Sequence, residues 1–275
     1  MADIARLAVH ASTFPELDLD DLLGLLARFD VTGVGLLRDH VARHGLREVR
    51  RRVRDSGLEV TSLSYGGFFT APDGAERRQR IDDTRRAIDE AAALEARCLL
   101  LVAGGLPPDS RDLEGARHMV EDALAVVVDH AASAGVRLAL EPHHPLHAAE
   151  RSVLVTLADV RRICDVFGRD APIGLALDTF HQWWAPDLEA ELGVFGGRRI
   201  LLVQFADWPR GVVDLRVRRL VPGEGVIDFP TLRRRLEAVE YDGPFELEVD
   251  PGEGAARRDP LTRLRTLVES YALRA

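Results

Sequence analysis

The sequence predicts a (β/α)8 barrel, in which eight parallel strands alternate with helices around a closed sheet. Eight short apolar runs follow one another along the 275 residues, and a stretch with helical periodicity follows each run. Eight such units over about 250 residues match the number of strands and the chain length that are typical of this barrel. A doubly wound open sheet is the alternative, but no G-x-G-x-x-G pattern follows the first run.

Each predicted strand is a short, mostly apolar run, which is typical of strands buried on both faces of a parallel sheet. In chain order these runs are Ala5–His10, Val31–Leu37, Leu58–Tyr65, Arg97–Val102, Val136–Leu140, Ile173–Asp178, Ile200–Phe205 and Pro244–Val249. The predicted helices include Leu17–Phe29, an arginine-rich helix with the sequence LREVRRRVRDSG (46–57), Gly74–Leu94, Leu113–Ala134 and Leu261–Leu273. The chain has no linker or low-complexity segment, so we expect one domain over residues 1–275.

Composition limits the chemistry. All 36 basic residues are arginine, so no side chain can form the Schiff base of a lysine-dependent enzyme. The net charge of −9 argues against broad binding to nucleic-acid phosphates. No run approaches the roughly 20 apolar residues of a membrane span and no secretion signal is evident, so we expect a cytoplasmic protein that does not bind membranes. Cys98 and Cys164 lie in apolar patterns, which indicates reduced core thiols.

Four consecutive predicted strands end at a residue that can bind a metal ion. These residues are Glu141, Asp178, Gln204 and Glu248. A single acid at a strand end is weak evidence, because many such acids only cap the following helix. In a barrel, however, the carboxyl ends of the strands meet at one rim, so four residues far apart in sequence can share one cation.

The second half of the chain, from about residue 136 to 251, resembles the xylose isomerase-like barrels, the sugar phosphate isomerase/epimerase group related also to endonuclease IV. The motifs that carry this resemblance are LALEPHHP (138–145), LALDTFHQWWAPDL (175–188), VQFADW (203–208), RRLVPGEGVIDF (218–229) and YDGPFELEVD (241–250). The first half resembles the family only in its alternation of strands and helices.

The resemblance implies one divalent cation bound by Glu141, Asp178 and Glu248, with the carboxylates of Glu141 and Glu248 flanking the substrate as base and acid. The fourth ligand of the family is usually a histidine, and Gln204 stands in its place here. An all-oxygen shell suits Mn²⁺ or Mg²⁺ better than Zn²⁺, and Co²⁺ is a further candidate. No organic cofactor is expected. Glu246 shares the strand face of Glu248, but the family match places the ligand at Glu248.

The resemblance also implies how the substrate is bound. His181 matches the histidine that holds a substrate hydroxyl, and Arg219 matches the arginine that anchors a substrate oxygen or carboxylate. His144 is expected to line the pocket or to orient a metal ligand. Trp183 and Trp184 either form a wall against the apolar face of a sugar ring or pack beneath the adjacent helix.

These expectations favour a divalent-metal-dependent isomerase or epimerase that acts on a ketose-like polyol by proton transfer through a metal-stabilised enediolate. A lyase that dehydrates a cyclic hydroxyketone of the dehydroshikimate or keto-inositol type is the alternative, since it begins with the same proton removal. A non-catalytic ligand-binding barrel is a third reading. The expected partner is a small sugar-like molecule, with a homodimer or homotetramer suggested by the resemblance.

Overall fold

Eight strands form a closed barrel in the computed structural model, which describes residues 4–211, 218–250 and 259–274. Each strand pairs in parallel with the next, and the eighth pairs with the first. The strands are β1 Leu7–His10, β2 Gly33–Leu37, β3 Glu59–Gly67, β4 Leu99–Val102, β5 Leu138–Glu141, β6 Ile173–Asp178, β7 Ile200–Phe205 and β8 Phe245–Leu247. The predicted fold class is confirmed, and the strands lie close to their predicted bounds.

The helices of the described residues surround this sheet. They are α1 Leu19–Ala27, α2 Arg38–His44, α3 Leu46–Ser56, α4 Gly74–Ala93, α5 Leu113–Ala134, α6 Leu157–Phe167, α7 Thr179–Gln182, α8 Leu188–Phe195, α9 Phe229–Ala238 and α10 Pro260–Arg274. Single 3-10 turns cover Ile4–Arg6, Ala11–Thr13, Pro145–His147 and Gly197–Arg199. Within these ranges no helix combines the length and apolarity needed to cross a bilayer.

The arginine-rich helix α3 is preceded by a further short helix, α2, that the sequence analysis did not predict. Gly45, with φ of +80°, lies between the two, and a residue with a Cβ adopts that conformation only with strain. Helix α3 ends at Gly57, which has the left-handed conformation usual after a helix C-terminus.

Apolar side chains fill the space between the strands and the helices, and Cys164 lies in this main core, whereas Cys98 lies in a smaller apolar cluster with Leu100 and Ala139; both cysteines are free and buried, as predicted. The carboxyl ends of the strands carry polar residues instead. The buried polar residues at or near these ends include His10, Ser62, Ser64, Glu141, Asp178, Gln204, Glu246 and Glu248. Burying so many polar groups is costly unless they are paired with one another or with a ligand. The fold therefore concentrates its chemistry at one rim of the barrel.

Candidate metal and catalytic site

The four predicted metal ligands lie at the ends of adjacent strands. Glu141 and Asp178 are the last residues of β5 and β6, and Gln204 pairs in register with Asp178 from β7. Glu248 follows β8 directly. All four side chains are buried, with Glu248 the most exposed at 6%. The parallel register of the barrel thus places four oxygen-bearing side chains on neighbouring strands.

The guanidinium of Arg219 lies among these side chains. Its Nη1 is 2.5 Å from Asp178 Oδ2 and 3.5 Å from Glu248 Oε2, and its Cζ lies 4.9 Å from the centre of the Phe180 ring. The charge of Glu141 also acts on Arg219. One guanidinium is therefore shared by a group of buried carboxylates, which leaves an excess of negative charge.

Asp178 caps the following helix and is also a predicted metal ligand. Its Oδ1 accepts the backbone N–H of Phe180 at 2.8 Å and caps the short helix α7, whereas Oδ2 pairs with the guanidinium of Arg219 at 2.5 Å. Burial raises the pKa of Asp178 above its ordinary value despite the charge of Arg219, and the charges of Glu141 and Glu248 raise it further. The cap fixes the carboxylate through Oδ1, so the oxygen that a cation could bind is Oδ2, which Arg219 contacts in this structure.

Glu248 is held by residues from the first half of the chain, which the sequence analysis did not assign to the site. Its Oε1 accepts hydrogen bonds from Ser12 Oγ at 3.3 Å and from the Tyr65 hydroxyl at 3.4 Å, and His10 Nδ1 lies 3.7 Å away. Burial alone would raise the pKa of Glu248, but the charge of Arg219, then that of His10 and the Ser12 hydrogen bond, hold this pKa below its ordinary value. Glu248 is therefore kept ionised.

Glu141 has two histidines beside it. His143 Nε2 lies 3.0 Å from Glu141 Oε2, within hydrogen-bond distance, and His181 Nε2 lies 3.9 Å from Glu141 Oε1 and 3.9 Å from Asp178 Oδ2. The two imidazoles stack with their centres 4.2 Å apart. Ligand-capable atoms of Glu141, His143 and His181 all lie within 4.8 Å of one another, so a cation at Glu141 would have nitrogen as well as oxygen ligands within reach.

His181 is a neutral imidazole in this arrangement. Burial holds its pKa well below its ordinary value, and the charges of His143 and Arg219 lower it further. Arg219 Nη2 lies 3.3 Å from His181 Nε2, and because a guanidinium can only donate, that nitrogen is the acceptor. The indole N–H of Trp184 donates to the backbone oxygen of His181 at 2.8 Å and helps to fix its position.

Aromatic side chains lie beside these residues. The rings of His144 and Trp208 stack with their centres 4.9 Å apart. The centre of the Trp208 ring also lies 4.8 Å from that of Phe180 and 5.8 Å from that of Trp183. His144 thus belongs to this aromatic group, whereas the hydrogen bond to a predicted metal ligand is made by His143. Trp208 was not assigned a role from the sequence, because an isolated tryptophan in a loop carries no pattern.

The chemistry of these side chains suits a divalent cation, and among the described residues the ligand atoms of Glu141, His143 and His181, but not those of the three predicted carboxylates together, lie within 4.8 Å of one another. Gln204 Oε1 is buried and lacks a hydrogen-bond partner among the described residues, while Asp178 Oδ2 is paired with the guanidinium of Arg219 at 2.5 Å. A buried acceptor without a partner, such as Gln204 Oε1, is costly in a protein interior unless a ligand satisfies it. Carboxylate and amide oxygens are ligands that Mn²⁺ and Mg²⁺ favour, and their positive charge would balance the excess negative charge around Arg219.

Thr13 ties the end of β8 to the N-terminal part of the chain. Its Oγ1 donates to the backbone oxygen of Leu247 and accepts from the backbone N–H of Val249, both at 3.2 Å. Thr13 therefore hydrogen-bonds to the backbone on either side of Glu248. We expect Thr13→Val to lower the free energy of unfolding by about 1–2 kcal/mol, because two buried hydrogen bonds are lost. Urea unfolding measures this change. The matched control is Thr266→Val, which removes an exposed hydroxyl bonded within α10; an equal loss in both variants would contradict the role given to Thr13.

A model of the family described as xylose isomerase-like TIM barrel matches residues 23–266 of this chain. The chain belongs to this family. Glu141, Asp178, Gln204 and Glu248 all lie within the matched range, so the resemblance that the motifs of the second half carry extends over most of the barrel. The xylose isomerase-like fold also includes the strands that supply Tyr65 and Gln204.

Comparison with known proteins places enzymes among the relatives of this xylose isomerase-like barrel. The 3-dehydro-D-guloside 4-epimerase of Escherichia coli (strain K12) is 29% identical over 242 residues, which are 81% of this chain and 85% of the epimerase. A 3-dehydroshikimate dehydratase of Pseudomonas aeruginosa is 27% identical over 229 residues, or 81% of this chain but 34% of the dehydratase. The chain therefore spans about a third of the length of that second relative.

Among solved structures, protein SMc04130 from Sinorhizobium meliloti 1021 is similar over its whole length. It is 39% identical to this chain, with a TM-score of 0.94 and coverage of 98% of both chains. Epimerase and dehydratase chemistry both occur among the relatives, so the activity has to be argued from the site.

Proposed function

We propose that this chain is a divalent-metal-dependent epimerase of keto sugars, and that Glu141, Asp178, Gln204 and Glu248 hold the cation. The observation that carries the proposal is the buried Gln204 Oε1, which has no hydrogen-bond partner among the described residues, beside three buried carboxylates that share the guanidinium of Arg219. Mn²⁺ is the cation that we expect, because the four proposed ligand atoms are oxygens. The similarity to a 3-dehydro-D-guloside 4-epimerase supports the choice of substrate class.

The chemistry required of the side chains is a proton transfer next to a ketone. In a 3-keto sugar the hydrogen at C4 is acidified by the neighbouring carbonyl, so its removal and return on the opposite face inverts C4. A bound divalent cation would stabilise the negative charge that develops on the substrate oxygen. Glu248, which is ionised, is the proposed base, and Glu141 at the end of β5 is the proposed acid.

The other side chains are proposed to bind and orient the sugar. His181 offers a neutral imidazole to a substrate hydroxyl, and the guanidinium of Arg219 can donate to a substrate oxygen. The aromatic group of His144, Trp183, Trp184 and Trp208 offers apolar surface for the face of a sugar ring. Tyr65 keeps its proton, because the charge of Glu248 and burial hold its pKa well above the ordinary value. It therefore acts as a hydrogen-bond donor to the base.

A lyase acting on a cyclic hydroxyketone is the second candidate. It is supported by the similarity to a 3-dehydroshikimate dehydratase. The same carboxylate would remove the proton, and the two activities differ in whether the substrate then expels a hydroxyl group or takes a proton back. A small keto compound is the expected partner in either case.

The test combines metal analysis with isotope exchange. We expect protein that has been chelated and reloaded to bind about one Mn²⁺ per chain in elemental analysis, since the proposed ligands form one site. Incubation with a 3-keto glucoside in D₂O should then give the C4 epimer with deuterium at C4, detected by NMR. Formation of a conjugated enone would favour the lyase. Cation binding without either reaction would favour a ligand-binding barrel, and absence of cation binding would contradict the proposal.

A further inference from the structure

One buried carboxylate near the site takes no part in the mechanism above. Glu246, in the middle of β8, is fully buried inside the barrel and lies two residues before Glu248 on the same strand face. We propose that Glu246 is a positioning residue that fixes the amide of Gln204 with its oxygen facing the cation. This inference rests on the proposed metal site and explains how glutamine can serve there in place of histidine.

The carboxylate of Glu246 is held by donors from two strands. Its Oε2 accepts from Thr61 Oγ1 at 2.5 Å and from Ser62 Oγ at 3.0 Å. Its Oε1 accepts from Gln204 Nε2 at 2.9 Å, and the two residues pair in register across β7 and β8. Because Thr61 and Ser62 of β3 both donate to it, the carboxylate is fixed in place independently of Gln204.

The contact with Glu246 decides which way the amide of Gln204 faces. In the observed orientation Nε2 donates to the carboxylate and Oε1 is left without a partner. Rotating the amide by half a turn would place Oε1 against the carboxylate and turn the NH₂ group, which cannot bind a metal, towards the cation. The lost hydrogen bond to a charged group is worth about 1.5–3 kcal/mol, which is enough to populate one orientation.

The surrounding sequence makes room for this carboxylate. A Cβ at Gly35 in β2 would lie 2.6 Å from Glu246 Oε2, so any larger residue at this position would displace the carboxylate. Gly35, Thr61 and Ser62 lie in β2 and β3, far from the metal-binding motifs in sequence. Because residues of two other strands leave space for the Glu246 carboxylate and donate hydrogen bonds to it, we infer that the barrel holds this carboxylate in one specific position.

The experiment is a double-mutant cycle on Mn²⁺ affinity, measured by calorimetric titration of the chelated full-length protein. Glu246→Met removes the acceptor, and we expect the Kd for Mn²⁺ to rise about 10–100-fold, as for other residues that orient a metal ligand. Glu246→Gln keeps a neutral acceptor and should give a smaller rise. In the Gln204→Met background, where no amide remains to be oriented, Glu246→Met should leave the Kd unchanged.

The cycle separates orientation from simple charge. If Glu246 attracted the cation only through its charge, or stabilised the barrel in general, Glu246→Met would weaken binding equally in both backgrounds, and that result would overturn the inference. An unchanged Kd for Mn²⁺ in both Glu246→Met and Gln204→Met would also overturn the inference. If Glu246→Met does not fold, the same comparison is made with Glu246→Gln. A wild-type protein that binds no Mn²⁺ would overturn the proposed function together with this inference, whereas binding without coupling overturns the inference alone.

Discussion

Glu248→Gln is expected to lower kcat by about three orders of magnitude, because removing a general base costs about 10²- to 10⁴-fold and the variant also weakens a metal ligand. The amide is the same size as the carboxylate and can still accept from Ser12 and Tyr65, which hold Oε1 in the wild type. Removal of the Glu248 charge leaves Arg219 paired with Asp178 at 2.5 Å, so in metal-free buffer we expect the free energy of unfolding to change by about 1 kcal/mol or less, far less than on removal of Arg219. The fall in kcat would therefore result from the loss of the base and not from unfolding of the protein.

The measurement is the rate of epimerisation in saturating Mn²⁺, with unfolding in denaturant followed in parallel. Glu269→Gln is the matched control, since it removes the same charge from an exposed position on α10. It should retain wild-type turnover. A fully active Glu248→Gln enzyme would contradict the assignment of Glu248 as base, even if the cation still bound. Loss of deuterium exchange at C4 in the same variant would tie the defect to proton removal.

The fold could be predicted because strand burial and helix periodicity are local properties of the sequence. Each of the eight apolar runs became a strand of the barrel, and the alternation of runs and helices was enough to select the closed sheet over an open one. The short helix α2 was not predicted, whereas the arginine-rich helix was expected to begin at Leu46, where α3 begins.

Strand alternation predicts candidate site residues only at strand ends, whereas His181 and Arg219 were named from the resemblance to the family. Asp178 and Gln204 come at the ends of regular strands, where alternation decides which face a side chain takes. His143 and His144 are adjacent in an irregular segment, where no periodicity tells which of them reaches Glu141. The structure places His143 there, and His144 against Trp208.

The residues that hold Glu248 could not be predicted at all. Ser12 and Tyr65 lie 236 and 183 positions from it in sequence, and each acts through a single hydroxyl contact. A lone serine or tyrosine near a strand end has many structural uses, so its type carries little information. Glu246 was visible in the sequence as a second acid on β8, but its role depends on Thr61 and Ser62, which only the closed barrel brings to it.

Arg219→Met is expected to destabilise the metal-free protein much more than the metal-loaded protein. Without a cation, Arg219 is the basic group that faces Asp178 at 2.5 Å and Glu248 at 3.5 Å. Removing one partner of a buried ion pair leaves uncompensated charge, which costs about 3 kcal/mol or more. Bound Mn²⁺ would supply positive charge to the same carboxylates, so the loss in saturating Mn²⁺ should be clearly smaller.

Chemical unfolding in chelator and in saturating Mn²⁺ measures this difference, with Arg234→Met as the control for losing an exposed arginine. An equal loss in both conditions would mean that Arg219 stabilises the barrel independently of the cation, for instance through its packing on Phe180. An unchanged free energy of unfolding of Arg219→Met in chelator would mean that the buried Asp178 does not need the guanidinium as a counter-charge. The expected result instead makes Arg219 a substitute counter-charge, which holds the carboxylates together until a cation binds and then leaves the guanidinium free to donate to a substrate oxygen.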